Sequence, residues 1–243
     1  MAEQASMSAL DRWKNNLRSA IDSPKWNDYD CEIKTAVEEY NRHLGNTPGF
    51  RALDWKLIKA MVWVETGAEN AEWKTKPMQI GVNGDPGLAS LLRGNEGGDL
   101  IIPPLWQGRL TAGSARTIPA HNIRAGIGYL LMRMANFEHR SVQSDQTVLN
   151  VAVKAGDNLD KIAKTQGTTT EMLRKLNPTA SVLRPGLALR YQKASVKRVI
   201  TGWRLITTSL IAQRYNGGGD PNYARKLDFA FALLTNRKEA TCG

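Results

Sequence analysis

A helical hydrophobic rhythm runs through most of this chain and breaks once, between Val148 and Tyr191, where the order becomes strand, helix, helix, strand. A period of 3.6 buries one stripe of a helix, and a period of 2 buries one face of a strand, so a stretch that switches between them must form its own small core. Val151 and Val153 alternate with smaller or polar residues as a short strand, and Gly156-Asp157-Asn158 supplies a turn and a helix cap. Leu159, Ile162 and Ala163 make a short helical face ending at Gly167; Thr169 or Thr170 caps a second helix through Met172, Leu173 and Leu176, stopped by Asn177-Pro178. Leu183, the turn Arg184-Pro185-Gly186 and the run Leu187 to Tyr191 complete the second strand. The polar flanks Glu138 to Gln146 and Gln192 to Val199 read as linkers. A unit of about 45 residues is near the lower limit for an independent core, so it is expected to lean on its host.

The host is helical. Leu10, Trp13, Leu17 and Ile21 recur at helical spacing, as do Tyr29, Ile33, Val37, Tyr40 and Leu44. Asp54 is placed to cap a helix carrying Trp55, Ile58, Met61, Val62 and finally Glu65, with Gly67 as its stop. Asn122 opens a helix with Ile123, Ile127, Leu130, Leu131, Met134 and Phe137 on one face. Leu205 to Tyr215 reads as another, and Asp220-Pro221 launches a last one through Leu227, Phe231 and Leu234. Between Gly81 and Pro119 no period persists; Asp85, Glu96, Asp99 and Trp106 lie in this Gly- and Pro-rich stretch, which reads as a groove wall with an aromatic position for stacking sugars or as a plain surface excursion.

Composition excludes several classes. With 42% hydrophobic residues the chain can bury a core, and nothing approaches the run needed to span a bilayer. Thirty-three Lys and Arg against 23 Asp and Glu give a net charge of +10, which points to an anionic partner. The basic residues are scattered, without the runs of a nucleic-acid-binding tail. The first residues show no cationic segment followed by an apolar one, so no secretory leader is expected. Cys31 and Cys242, the two cysteines, are either unrelated thiols or a bridge between the chain's ends in an oxidising compartment. The three histidines show no metal-ligand spacing, and no cofactor motif is present.

The residue that carries chemistry is Glu65. Val, Met and Trp around a carboxyl group strip water from its anion, and the last turn of a helix adds the negative end of the macrodipole. Both effects raise its pKa toward that of a general acid at neutral pH. A solvated glutamate at a helix end is the alternative reading.

Val153 to Leu159, Ile162-Ala163, Gly167-Thr168-Thr169, Leu173, Leu176-Asn177-Pro178 and Leu183 to Gly186 resemble a LysM domain nearly end to end. The resemblance implies a βααβ fold binding the N-acetylglucosamine backbone of peptidoglycan or chitin, in a groove lined by Gly156, Asp157, Asn158 and Leu159 on one side and Asn177, Pro178, Thr179 and Ala180 on the other. A spacer that no longer binds sugar is the competing reading.

The helical body is similar to the lysozyme-like catalytic domain of soluble lytic transglycosylases and goose-type lysozymes. Four blocks in the family's order carry this: Glu65-Thr66-Gly67, Pro77-Met78-Gln79-Ile80, Asn122 to Gly126 with Tyr129-Leu130, and Ala212 to Gly218 around Tyr215-Asn216. The expected fold is thus mainly α (α+β): a lysozyme-like helical domain, residues 1–147 and 193–243, with a βααβ LysM domain inserted at 148–192. The resemblance implies Glu65 as the catalytic acid, Tyr215 hydrogen-bonding near it, and Thr66, Met78, Gln79 and Asn216 against the substrate. Glycosidic cleavage needs a proton on the leaving oxygen. A hydrolase adds a second carboxylate, whereas lytic transglycosylases use one Glu and close a 1,6-anhydro ring on muramic acid. Glu69 and Glu72 lie in the segment where goose-type lysozymes carry one Asp; the other Asp position is Gly81 here, and Asp85, four residues on, is the candidate second carboxylate.

The expectation is a peptidoglycan lytic transglycosylase, with a hydrolytic lysozyme or a non-catalytic wall-binding adaptor as alternatives. Its partners would be peptidoglycan strands and, if the chain is an antibacterial effector, a secretion machine and an immunity protein, with no nucleic acid, membrane span, metal or cofactor. It would act in the periplasm or cell wall, delivered by a specialised secretion system or by phage lysis.

Overall fold

The computed structural model describes residues 7–236 and Cys242; the first six residues, on which part of the reading of the N-terminus rests, lie outside them. In chain order the elements are α1 (Ala9–Ala20), α2 (Asp30–Leu44), α3 (Trp55–Glu65), α4 (Gly87–Arg93), α5 (Gly98–Ile101), α6 (Ala112–Thr117), α7 (Pro119–Met134), β1 (Ala135–Gln143), β2 (Leu149–Ala152), α8 (Leu159–Gln166), α9 (Thr170–Leu176), β3 (Ala188–Tyr191), β4 (Ala194–Trp203), α10 (Thr208–Arg214) and α11 (Tyr223–Thr235). The described residues are about 51% helical with small two-stranded sheets, the mainly α composition the periodicity predicts. It forms two compact units, one made of the residues up to Asn136 and from Thr201 onward, the other of residues 137–200.

In the larger unit α7 is the central helix. Its residues from Asn122 to Gly128 are buried on every side, as are Leu130, Leu131 and Met134, and α2, α4, α5, α6 and α10 pack around it. Glycine permits the closest approaches: a Cβ at Gly128 would stand 2.6 Å from the Tyr40 hydroxyl, which donates to the Arg124 carbonyl at 2.8 Å. The helix begins at Pro119, whose missing N–H costs nothing at a first turn, so Asn122 is an interior residue and not the opening cap. It ends at Met134, and Phe137 belongs to β1.

Helix α3 packs on α2 and α11, and its middle, Ile58 to Trp63, is wholly buried. Asp54 caps it, accepting the Lys56 N–H at 2.8 Å, and Gly67, at φ 69°, ends it, both as the sequence suggests. Two charged contacts run through this unit. Lys59 meets Asp30 at 2.5 Å, both buried, and the buried Arg124 grips Glu39 through two hydrogen bonds of 2.8 and 3.0 Å and also pairs with Glu32. Removing one partner of such a pair costs about 3–5 kcal/mol, because the other charge stays buried. Cys31 and Cys242 form a disulfide, which decides between the two readings of these cysteines. The last helix starts at Tyr223 and not at Pro221: the Asp220 carboxylate accepts the Asn222 N–H at 2.8 Å, so these residues form a turn before it.

The stretch from Gly81 to Pro119 holds α4, α5, α6 and a 3-10 turn at Pro104–Trp106. Helices of four to seven residues are too short to leave a readable period. Trp106 is not a free stacking platform. The Arg124 guanidinium lies 4.2 Å from its ring centre, His121 meets it edge-on, and its indole N–H donates to Glu39 at 2.8 Å.

The smaller unit pairs β2 with β3 antiparallel, Val151 opposite Leu189 and Leu149 opposite Tyr191. Val153, Ile162, Ala163, Leu173, Leu189 and Tyr191 form its core. Asn158 caps α8 and Thr169 caps α9, each accepting an N–H three residues on. The two polar flanks read as linkers are strands: β1 pairs with β4. The ends of the ribbon, Arg204 N–H to Met134 O and Ser144 N–H to Lys193 O, show it to be antiparallel. Both strands carry polar residues on each face, so the pairing rests on backbone groups and leaves no alternating apolar signal.

Candidate active site

Glu65 is the last residue of α3, following the apolar run Ala60 to Val64. Its Oε1 accepts a 2.5 Å hydrogen bond from the hydroxyl of Tyr223, a buried residue in the first turn of α11. The carboxyl group lines a cavity of about 240 Å³ together with Met78, Gln79, Ile80, Val82, Asp85, Tyr129, Tyr215 and Asn216. Burial pushes its pKa up to about 7; the Tyr223 hydrogen bond opposes this by favouring the anion, and the Asp85 charge adds to the rise. At neutral pH a substantial fraction of Glu65 therefore holds a proton at the wall of a cavity.

The wall opposite is built by hydrogen bonds. Thr66 donates to the carbonyls of Lys76 and Pro77, at 3.0 and 2.8 Å, and accepts from the Gln79 amide at 3.2 Å. Asn122, with no exposed surface, accepts the Met78 N–H at 2.8 Å and donates to the carbonyls of Ile80 and Ala115 at 3.0 and 2.7 Å. Met78 itself is buried against Gly126, where a Cβ would come within 2.6 Å of the Met78 Cβ. Gln79 takes a left-handed backbone, φ 51°, unusual for a residue with a side chain, and this local cost falls at the cavity edge.

Thr66, Met78, Gln79, Tyr215 and Asn216 thus come together around Glu65, Thr66 by bracing the wall and the other four by lining the cavity. Tyr215 hydrogen-bonds at the same cavity as Glu65, but to its wall and not to the carboxyl group. Its hydroxyl donates to the Met78 carbonyl at 2.8 Å, and the tyrosine that holds the Glu65 carboxyl is Tyr223. Burial, followed by the nearby Glu65 charge, keeps both phenols well above their ordinary pKa, so both remain donors. Asn216 accepts the Asp220 N–H at 3.1 Å, tying the cavity rim to the turn before α11.

Asp85 faces the same cavity, but its two oxygens are engaged: one accepts the Gly81 N–H at 2.9 Å and the other the Gly87 N–H at 2.7 Å. Glu69 and Glu72 do not line the cavity; they pair with Lys25 and Lys76. Among the described residues no group of three His, Cys, Asp or Glu side chains is arranged to hold a metal ion.

In the smaller unit the residues expected to line a sugar groove are largely turn and cap residues. Gly156 adopts φ 78°, Asp157 accepts the Lys154 N–H at 2.9 Å, and Asn158 accepts the Lys161 N–H at 2.8 Å. Asn177 is fully used on structure: its amide donates to Leu173 O and Arg190 O, and its carbonyl accepts the Arg190 N–H at 2.9 Å, which docks α9 on β3. Leu159 and Ala180, one from each side of the expected groove, pack on the same core, while Pro178 and Thr179 are exposed.

Sequence reasoning missed Tyr223, Asn122 as a clamp, and Tyr129. A tyrosine at the first turn of a helix and an asparagine inside another look ordinary until distant segments meet them. No curated protein and no solved structure matches the chain. Residues 151–190 match the LysM domain family, so this part of the smaller unit is a LysM domain, which points to glycan binding.

Proposed function

We propose that the chain is a peptidoglycan lytic transglycosylase whose LysM domain holds the glycan strand and whose Glu65 cleaves it. The observation that carries this reading is the Glu65 carboxyl group, half-buried at a cavity wall, held by Tyr223 and shifted to a pKa of about 7. Protonated, it delivers its proton to the glycosidic oxygen as the anomeric carbon becomes cationic. The anion so formed then takes the proton from the muramic acid 6-hydroxyl, whose oxygen closes on the anomeric carbon, and Glu65 is restored. A pKa near neutrality suits a group that must give a proton and recover it. The engagement of both Asp85 oxygens by backbone N–H groups supports a one-carboxylate route, with Asp85 as a turn clamp whose charge helps Glu65 keep its proton.

Hydrolysis is the second reading, and the position of Asp85 on the same cavity favours it, since a carboxylate there can activate water. Mass spectrometry of muropeptides released from sacculi by the wild type and by Glu65→Gln tests both. Products ending in 1,6-anhydro-muramic acid, absent with Glu65→Gln, support the proposal. Reducing ends support hydrolysis. Retention on sacculi without any soluble product, unchanged by Glu65→Gln, would leave only wall binding.

A further inference from the structure

Helix α3 carries Glu65 as its last residue, and a second cavity, of about 480 Å³, lies at its other end. Leu57 lines that cavity and precedes Glu65 by eight residues, roughly 12 Å along the helix axis. On α11, which packs against α3, Phe231 lines the second cavity, and Tyr223, eight residues earlier, holds Glu65. The two cavities share no lining residue. Every residue that lines the second belongs to the larger unit.

Its wall is apolar and held in place. Phe50 and Trp203 meet edge to face at 4.9 Å, Leu57, Ile206 and Phe231 are half-buried, and Leu205 is 61% exposed. Trp203 is fixed by its indole N–H, which donates to Thr47 Oγ1 at 2.9 Å. Asn41 grips the Leu53 backbone twice, accepting its N–H at 2.8 Å and donating to its carbonyl at 3.0 Å. Small-molecule sites are mostly apolar spaces of roughly 300–1,000 Å³ with a few polar groups, and this cavity falls within that range. Two guanidiniums line the same space. Arg204 donates through Nη1 to Ala135 O at 3.0 Å, Arg51 is exposed and makes no hydrogen bond, and among the described residues neither is paired with a carboxylate. Asp54 also lines the cavity, but its Oδ1 accepts the Lys56 N–H, and it forms no ion pair with either arginine. The lining therefore keeps a net positive charge beside uncovered apolar surface.

We propose that this cavity is a second ligand site, which takes a free single-chain carboxylate such as a fatty acid, its aliphatic chain on Phe50, Trp203 and Phe231 and its head group on Arg51 and Arg204. Charge complementarity selects the head group: the guanidinium fork matches a carboxylate, and an anion neutralises cations that the protein itself leaves unpaired. The apolar wall selects the chain. A sugar fits less well, because the edge-to-face contact of Phe50 and Trp203 covers a ring face that a pyranose would need, and the indole N–H is already committed. A space of this size accommodates one chain, which points to a free molecule and not to a two-chain lipid in a bilayer. The inference goes beyond the peptidoglycan reading and does not depend on it, since the site uses none of the residues around Glu65.

The test uses the full chain labelled with fluorotryptophan, the Trp203 ¹⁹F signal being assigned by Trp203→Phe. Decanoate, decanol, decylammonium and butyrate are titrated below their micelle-forming concentrations, and vesicles of an anionic two-chain phospholipid are added separately. The site predicts saturable movement of the Trp203 signal with decanoate, binding of decanol and butyrate weaker by about tenfold or more, and no response to decylammonium or to vesicles. Arg51→Gln should weaken decanoate about tenfold, as expected for one charge-assisted hydrogen bond, and leave decanol unchanged. Arg51 has no other hydrogen bond to lose, so this variant keeps the fold. Arg204→Gln should show the same split between the two ligands. Equal affinity for decanoate and decanol, insensitive to both substitutions, would mean apolar partition only and overturns the inference. A Trp203 signal that moves with vesicles alone, or with none of the ligands, overturns it as well.

Discussion

Replacing Glu65 by glutamine isolates the cost of holding that carboxyl group in the cavity wall. Its folded pKa of about 7 lies above the ordinary 4.5, so between these values the folded protein keeps a proton that the unfolded chain has released. Stability is therefore lost as pH rises through this window, and the loss is complete above the folded pKa. A shift of this size corresponds to about 3 kcal/mol at most, and water entering through the cavity reduces it to about 2 kcal/mol. Glutamine has no proton to lose and can still accept the Tyr223 hydrogen bond. The variant should match the wild type below the window and be more stable by about 2 kcal/mol above it. Urea unfolding followed by tryptophan fluorescence is the suitable assay, because all seven tryptophans lie outside residues 137–200 and report the larger unit alone. A stability difference that stays flat with pH, or that shrinks as pH rises, would refute the assignment of a raised pKa to Glu65. The same variant should lose muropeptide release by about 10²–10⁴-fold.

Tyr223→Phe removes the interaction that favours the Glu65 anion, so the alkaline limb of the pH–rate profile should move above about 7; a limb that moves down or stays in place would count against the role given to Tyr223. Asn122→Ala leaves the Met78 N–H and two carbonyls without their Asn122 partner at a buried position, and a loss of about 2–4 kcal/mol in urea unfolding is expected, together with loss of activity. Gly126→Ala drives a methyl group into Met78 and should cost about 1–3 kcal/mol, visible as a lower urea midpoint with the same slope. Reduction of the Cys31–Cys242 bridge, which spans 211 positions, should lower the stability of the larger unit by about 2–5 kcal/mol, measured by tryptophan fluorescence with and without reductant.

Much of the architecture was legible because it rests on local signals. The apolar stripe of Tyr29 to Leu44, the Asp54 cap, the stop at Gly67, and the turn and cap of Gly156 to Asn158 each act within a few residues, and the corresponding elements form there. Errors fell where a signal was too short or was shared. The helices between Gly81 and Pro119 have no more than seven residues, and the ribbon of β1 and β4 is held by backbone bonds that any polar sequence can make.

By itself the sequence determined the helical host, the βααβ unit within it, and the placing of one carboxylate at the end of an apolar helix, because capping, periodicity and turn preference are properties of neighbouring residues. Only the tertiary structure decided which tyrosine reaches that carboxylate, 158 positions away, that Asn122 clamps the Met78 loop from 44 positions away, and that Asp85 spends both oxygens on its own turn. Those outcomes depend on which helix faces pack together, and a raised pKa exists only once that packing has removed the surrounding water.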